Sequence, residues 1–345
     1  MRRAHLVFLV AVVLLLTFAI RSVFTLLTLL VEDASADAIP GAELEPLPRT
    51  NSTPPTRPLL IPKILHQTYV NETIPARWRP AQRSCVDLHP DYQYILWTDE
   101  TAHAFITEEY PWFLQTFESY DHNIQRADAI RYFALAHHGG VYLDLDDGCR
   151  RRLDPLLTYG AWLRRTVPTG ISNDAMGATP GHPFFLRVIR ELQNYDAHWV
   201  LPYITIMAST GPLFLSVVWK RYLDDHAREL PGWAGRVRVL MPAEYKSGPA
   251  AFFHVVRGDS WHGDDARLIF WMGSHWMFLT ALGFALGGVL GVGVWWLYGR
   301  LLLLGTTSGK GGSPQMAWRR RRLRLPAWWR RTAKLDYELL EQHSA

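Results

Sequence analysis

Gly139-Gly140-Val141-Tyr142-Leu143-Asp144-Leu145-Asp146-Asp147 decides how the rest of the chain is read. The two glycines stop a preceding helix, and the apolar residues after them make a short buried strand. That strand runs straight into three carboxylates, which repel one another unless a cation neutralises them. Oxygen ligands of this kind suit Mn²⁺ or Mg²⁺, ions that keep waters and bridge to substrate phosphates. An acidic turn facing water is the competing explanation, and a bare Asp-x-Asp does not separate the two.

Upstream of this block, residues 123–138 place Ala127, Ile130, Ala134 and His138 at helical spacing, with Asp128 and Arg131 on one face at i, i+3. Before it, residues 62–67 and 92–97 have the character of strands and residues 80–88 that of a short helix. Downstream, helices are expected at 183–193 and 212–222 and a strand at 236–240. Strands alternating with helices predict an α/β domain whose mixed, mostly parallel sheet is covered on both faces. Ligands in such sheets gather beyond the carboxyl ends of the strands, where the acidic cluster sits. Thr210-Gly211-Pro212 opens a helix, either as ordinary capping or as a seat for an anion or sugar hydroxyl. Asn173-Asp174 reads as a loop within reach of a sugar.

The apolar residues of the 345-residue chain concentrate in two runs, 6–31, interrupted only by Arg21, and 270–304, which lacks acidic residues. Each exceeds the ~20 residues that cross a bilayer as a helix. The first run is read as an uncleaved anchor rather than a signal peptide; a helix ending near Ile20 with an interfacial continuation stays open. Arg2 and Arg3 precede the first run, and nine Lys/Arg against three acidic residues follow Leu304. By the positive-inside rule both ends are cytoplasmic and the middle is lumenal. The tail contributes +6 and the two arginines +2 of the net +4, so the remainder carries −4 and no nucleic-acid partner is implied. The organisation expected is a cytoplasmic N-terminus (1–5), an anchor (6–31), a flexible lumenal stem (32–58), a catalytic domain (59–267), a second span (270–304) and a basic tail (305–345). Cys85 and Cys149 form a disulfide or stay as two buried thiols. Asn51-Ser52-Thr53 and Asn71-Glu72-Thr73 are glycosylation sequons.

Three segments together carry a family resemblance: Ile61-Pro62-Lys63-Ile64-Leu65-His66-Gln67, Leu96-Trp97-Thr98-Asp99, and the block from Arg126 to Asp146. They resemble the glycosyltransferases of GT-A fold that share a sugar-binding region with a DXD motif. These include fungal initiating α-1,6-mannosyltransferases and inositol phosphorylceramide mannosyltransferases. The resemblance covers about residues 61–265 and implies Asp146 as direct metal ligand. Asp144 would touch the donor sugar or ribose and order the metal site, and Asp128 and Arg131 would contact sugar and ribose. His66, Gln67 and Trp97 would lie at the nucleotide end of the cleft. A C-terminal segment with Ser260 and Trp261 would close over the diphosphate. His262, or failing it His254, would complete the metal shell, while Asp147 is either a supporting group or solvated.

The resemblance further implies GDP-mannose as donor, Mn²⁺ or Mg²⁺, and retention of configuration. A span directly after the Ser260-Trp261-His262 segment would hold the site near the bilayer, which suits a membrane sphingolipid acceptor, inositol phosphorylceramide. It also implies a secretory, Golgi-type membrane and a separate regulatory membrane subunit. Two rivals remain: a glycoprotein outer-chain α-mannosyltransferase of the same fold, and a non-catalytic membrane scaffold.

Overall fold

The structure, a computed structural model, describes residues 2–44, 57–167, 169–226, 235–246, 251–256 and 263–305. Positive φ at Gly139 (66°) and Gly140 (94°) turns the chain from helix to strand. A Cβ on Gly139 would stand 2.6 Å from Pro180 Cδ, and one on Gly140 would stand 2.7 Å from the Ile64 carbonyl oxygen. Neither place admits a side chain, so the glycines fix where the helix ends and the acidic strand begins.

In chain order the elements are α1 (Arg2–Val31), α2 (Gly41–Leu44), β1 (Ile64–Thr68), α3 (Arg79–Leu88), β2 (Gln93–Trp97), α4 (Asp99–Glu109) and α5 (Pro111–Ser119). Next come α6 (Asn123–His138), β3 (Gly140–Leu143), β4 (Asp147–Cys149), β5 (Ala161–Arg165), β6 (Ile171–Ala178) and α7 (Pro183–Glu191). The chain continues through α8 (Pro202–Ser209), α9 (Pro212–Asp225), β7 (Val237–Leu240), α10 (Pro242–Tyr245), β8 (Phe253–Val255), α11 (Asp264–Ser274) and α12 (Trp276–Gly305). The main sheet has the order β2-β1-β3-β6-β5-β7. β1 is parallel to both β2 and β3, β6 is antiparallel to β3 and β5, and β5 is parallel to β7. Only β6 therefore opposes the common direction, so the sheet is mixed and mostly parallel. β4 and β8 form a separate antiparallel pair.

Alternation along the strands divides the core. Tyr142, Met176 and Val239 face one cluster with Phe133, Phe184 and Trp219. Val141, Leu143 and Trp162 face the other with Leu156 and Phe252. Cys85 and Cys149 are joined by a disulfide with Cα atoms 4.7 Å apart, which settles the pairing left open by sequence.

The expected helix at 123–138 is α6 to the residue. β5 and β6 have no counterpart in the sequence reading, because Arg164, Arg165, Asn173 and Asp174 interrupt their apolar pattern. The segment expected to be a flexible stem packs on the domain over residues 32–44. Ile39 and Leu44 are buried, Ile39 N donates to Val239 O (2.9 Å), and Glu32 pairs with Lys220 (2.9 Å). Three buried apolar residues, Ala34, Ile39 and Leu44, help to dock the segment.

α1 is continuous through Arg21, and its last turn buries Leu29 in the core. Within α12, Trp276–Tyr298 is long and apolar enough to cross a membrane, and none of its most apolar stretch is buried. Pro202–Asp225, which covers α8 and α9, passes the same length and hydropathy test but is mostly buried inside the domain. Residues 1–273 and 274–345 are two compact units.

Candidate active site

β1, β2 and β3 end side by side, and a cleft of about 760 Å³ opens at their carboxyl ends. Its lining includes Asp144, Leu145 and Asp146 after β3, Trp97, Thr98, Asp99 and His103 from β2 and α4, and Asn123, Arg126 and Arg131 from α6. The Asp144 amide donates to Asp174 O (2.8 Å), so the antiparallel strand β6 fixes the height at which the acidic turn leaves the sheet.

Arg131 is the hub beneath this turn. Its guanidinium pairs with Asp128 Oδ1 (2.8 Å) and Asp144 Oδ1 (3.1 Å) and donates to Asn173 O (2.8 Å). It also stacks on the Tyr142 ring, 4.7 Å from the centroid. Tyr142 OH donates to the same Asp144 oxygen at 2.7 Å. Asp144 is thus held through one carboxylate oxygen by a charge and a hydroxyl, which fixes its rotamer at the cleft wall.

Asp128, which the family resemblance put in contact with the donor sugar or ribose, does not line the cleft. It is buried beneath the cleft, accepting from Arg131 and Asn173 Nδ2 (3.0 Å) on Oδ1 and from Thr210 Oγ1 (3.0 Å) on Oδ2. Burial pushes its pKa up to about 6, against the pull of Arg131 and these donors. Thr210 is the C-cap of α8 and its hydroxyl serves Asp128, while Gly211 is the N-cap of α9. Asn173 and Asp174 belong to β6 rather than a loop. Asn173 binds Asp128 and Tyr132, and Asp174 pairs with Arg164.

His66 and Gln67, expected near the nucleotide end of the cleft, are both fully buried and neither lines it. Trp97 Nε1–H donates to His66 Nδ1 (3.1 Å), so Nε2 carries the proton and donates to Gly139 O (2.8 Å). Burial lowers the His66 pKa to about 4, leaving it neutral. Gln67 receives Tyr94 OH (3.0 Å) and reaches Asp144 O (3.4 Å). Both residues therefore brace the motif, whereas Trp97 does line the cleft.

Asp146 differs from all of these. Among the described residues its carboxylate takes part in no ion pair, and burial followed by repulsion from Asp144 and Asp147 pushes its pKa up to about 7. A divalent cation between Asp144 and Asp146 would relieve that repulsion, and the all-oxygen donor set fits Mn²⁺ or Mg²⁺. The described residues hold no third His, Cys, Asp or Glu near enough to complete the set. Asp147, expected to be either a supporting group or solvated, is not solvated. It is buried in β4 with Arg164 Nη1 2.9 Å from Oδ2, and burial raises its pKa to about 6.

Ser260, Trp261 and His262 lie outside the described residues, as do the Asn51 sequon and the basic tail. β8 leads toward them from the site, since Val256 N donates to Asp146 O at 2.8 Å. The His254 ring lies over Gly148, where a Cβ would come within 2.1 Å of it. Sequence reading missed Tyr142 and Arg164 as parts of the site. Tyr142, two residues before Asp144 inside the motif, had a legible signal; Arg164 had none.

The chain matches the family described as "Glycosyltransferase sugar-binding region containing DXD motif" over residues 75–162. It is 53% identical to mannosyl phosphorylinositol ceramide synthase SUR1 of Saccharomyces cerevisiae, over 80% of this chain and 69% of that one. It is 52% identical to inositol phosphoceramide mannosyltransferase 3 of Schizosaccharomyces pombe, over 65% and 62%. Identity to the S. cerevisiae initiation-specific alpha-1,6-mannosyltransferase is 28%, over 35% and 30%. Among solved structures, the PaToxG glycosyltransferase covers 48% of this chain and 70% of its own at 17% identity and a TM-score of 0.37.

Proposed function

The chain belongs to the family of the fungal inositol phosphoceramide mannosyltransferases, and on that premise we propose that it transfers mannose from GDP-mannose to inositol phosphorylceramide. The observation that carries the reading is Asp146, a half-buried carboxylate with no ion pair among the described residues, beside a braced Asp144 in the lining of a cleft of about 760 Å³. Similarity decides between the acceptor classes: identity near 50% over most of the chain on the lipid side, against 28% over about a third of it on the glycoprotein side.

Asp144 and Asp146 would hold a divalent cation, which would supply Lewis-acid stabilisation of the charge that builds on the departing diphosphate. The protein's own part is positional. Arg131 and Tyr142 lock Asp144, Gln67 supports its carbonyl, and Trp97 offers an aromatic surface at the other end of the cleft. The bond from mannose C1 to the diphosphate oxygen breaks, and the acceptor hydroxyl oxygen bonds C1 on the same face. The acceptor proton passes to the departing phosphate oxygen, giving retention without a covalent enzyme intermediate. His262 is assigned as the remaining ligand on the family resemblance.

α1 and α12 are assigned as two spans with both ends cytoplasmic, in a secretory membrane of Golgi type. A disulfide is at home in the oxidising lumen, and Asn71 of the second sequon is exposed there. A separate membrane subunit belongs to the same proposal. The test uses membranes bearing the full chain, labelled GDP-mannose and inositol phosphorylceramide, with and without EDTA and added Mn²⁺. A labelled lipid that disappears in Asp146→Ala and on chelation supports the reading. Metal-dependent release of free mannose without labelled lipid would keep the donor chemistry and reject the acceptor.

A further inference from the structure

Two segments far apart in sequence present apolar side chains to solvent side by side. One is the turn before α8, where Trp199 is 57% exposed and Val200 98%. The other is the second half of α11, where Leu268, Phe270, Trp271 and Met272 are each about half exposed. They are fastened together: Asp265 Oδ2 accepts from the Tyr203 amide (2.6 Å), and the Tyr203 and Phe270 rings meet edge to face at 5.6 Å.

The turn is built, not loose. Thr205 Oγ1 accepts from Trp199 N (2.9 Å) and donates to Trp199 O (3.1 Å), and His198 pairs with Asp121 (2.7 Å). A clamped turn that thrusts Trp and Val outward is holding them there. Six such side chains expose on the order of 500 Å² of apolar surface, at the size where a soluble surface would normally cover it.

α11 changes character along its length. Its first turn carries Asp264, Asp265 and Arg267, and residues 268–273 after it are apolar or glycine. One residue beyond its end begins α12, whose Trp276–Tyr298 stretch has membrane length and no burial. The chain therefore reaches the bilayer within a few residues of Trp271, and tryptophans favour the interface between headgroup and acyl chain. Asp121, which anchors the turn, stands two residues before Asn123, and Asn123 and Ile124 line the cleft.

We propose that Trp199-Val200 and the apolar half of α11 form one lip embedded in the lumenal leaflet beside the cleft, over which the acceptor lipid's headgroup passes from bilayer to active site. The acceptor half of this statement rests on the lipid-acceptor reading above; the embedding does not. Depth would be that of an interfacial element, roughly 5–10 Å below the headgroups.

The test uses the full chain in phospholipid vesicles. Both native cysteines are in the disulfide, so Val200→Cys provides a single thiol for an environment-sensitive fluorophore. Quenching by lipids brominated in the acyl chain, with protection from iodide, is the expected result; quenching by iodide alone overturns the proposal. In parallel, W199S/V200S should lower transfer to bilayer-embedded inositol phosphorylceramide about tenfold, through loss of interfacial seating. Its release of mannose from GDP-mannose without acceptor should stay within about twofold of wild type, because neither residue lines the cleft. Normal transfer by this variant despite embedding overturns the lip's role in acceptor entry. Quenching by brominated lipid in a protein that labels no sphingolipid leaves the embedded lip standing and rejects the acceptor reading instead.

Discussion

Asp128 and Asp146 flank the same glycine turn, yet their surroundings are opposite. Asp128 is buried with three donors on its two oxygens, and Asp146 borders a cleft with no ion pair among the described residues. The first carboxylate is spent on construction: with Arg131 it ties α6, β3, β6 and the turn before α9 into one support. The second stands half-buried against two like charges, a state that burial and repulsion make unfavourable and a cation would relieve. Structural and functional charges in this block are told apart by where their hydrogen bonds go.

The largest break in that contrast is expected from Asp146→Asn. Transfer should fall about 10³-fold, as when a group stabilising transition-state charge is lost, while the circular dichroism spectrum stays that of wild type. Residual activity above about a tenth would remove Asp146 from the metal set. Next comes Arg131→Met, which strands Asp128 as a buried charge; thermal or urea denaturation should show a loss of about 3–5 kcal/mol. A stable protein lacking only activity would mean that Arg131 serves substrate rather than scaffold.

Tyr142→Phe sharpens the picture with a smaller effect. It deletes one of two groups holding Asp144 Oδ1, so metal affinity measured by titration should fall about 10-fold or somewhat more, with little change in folding. The smallest effect concerns pH. Asp146 has a folded pKa raised to about 7, above its unfolded value. Between about pH 4 and 7 the native state keeps a proton that the unfolded chain has lost, so this group's contribution to stability falls across that window and stays low above it. Metal-free Asp146→Asn should accordingly melt about 2–4 °C above metal-free wild type at pH 8 and level with it at pH 4. Equal melting at both pH values would contradict the raised pKa.

Much of the scaffold was legible because its signals are local. Gly139-Gly140 marks a helix stop through steric need, and α6, α3, β1 and β2 follow from spacing and breakers within windows of about ten residues. β5 and β6 were not legible, since charged residues stand inside them; those charges are paid for by Arg164, which pairs with Asp147 and Asp174 from another strand. His66 and Gln67 show the same limit within the site. The family resemblance put them at the nucleotide end of the cleft, but each directs its polar atoms to partners that only folding brings near.

By itself the sequence determined the acidic strand end, the helix carrying Asp128 and Arg131, the α/β alternation and two apolar runs of membrane length. These follow from spacing, steric rules and hydropathy, which act between near neighbours. Tertiary structure alone decided which carboxylates are satisfied, that Cys85 meets Cys149, that residues 32–44 dock on the domain, and that Trp199 joins α11. Each of those depends on groups tens of residues apart or more, whose meeting is set by sheet order and packing rather than by local pattern.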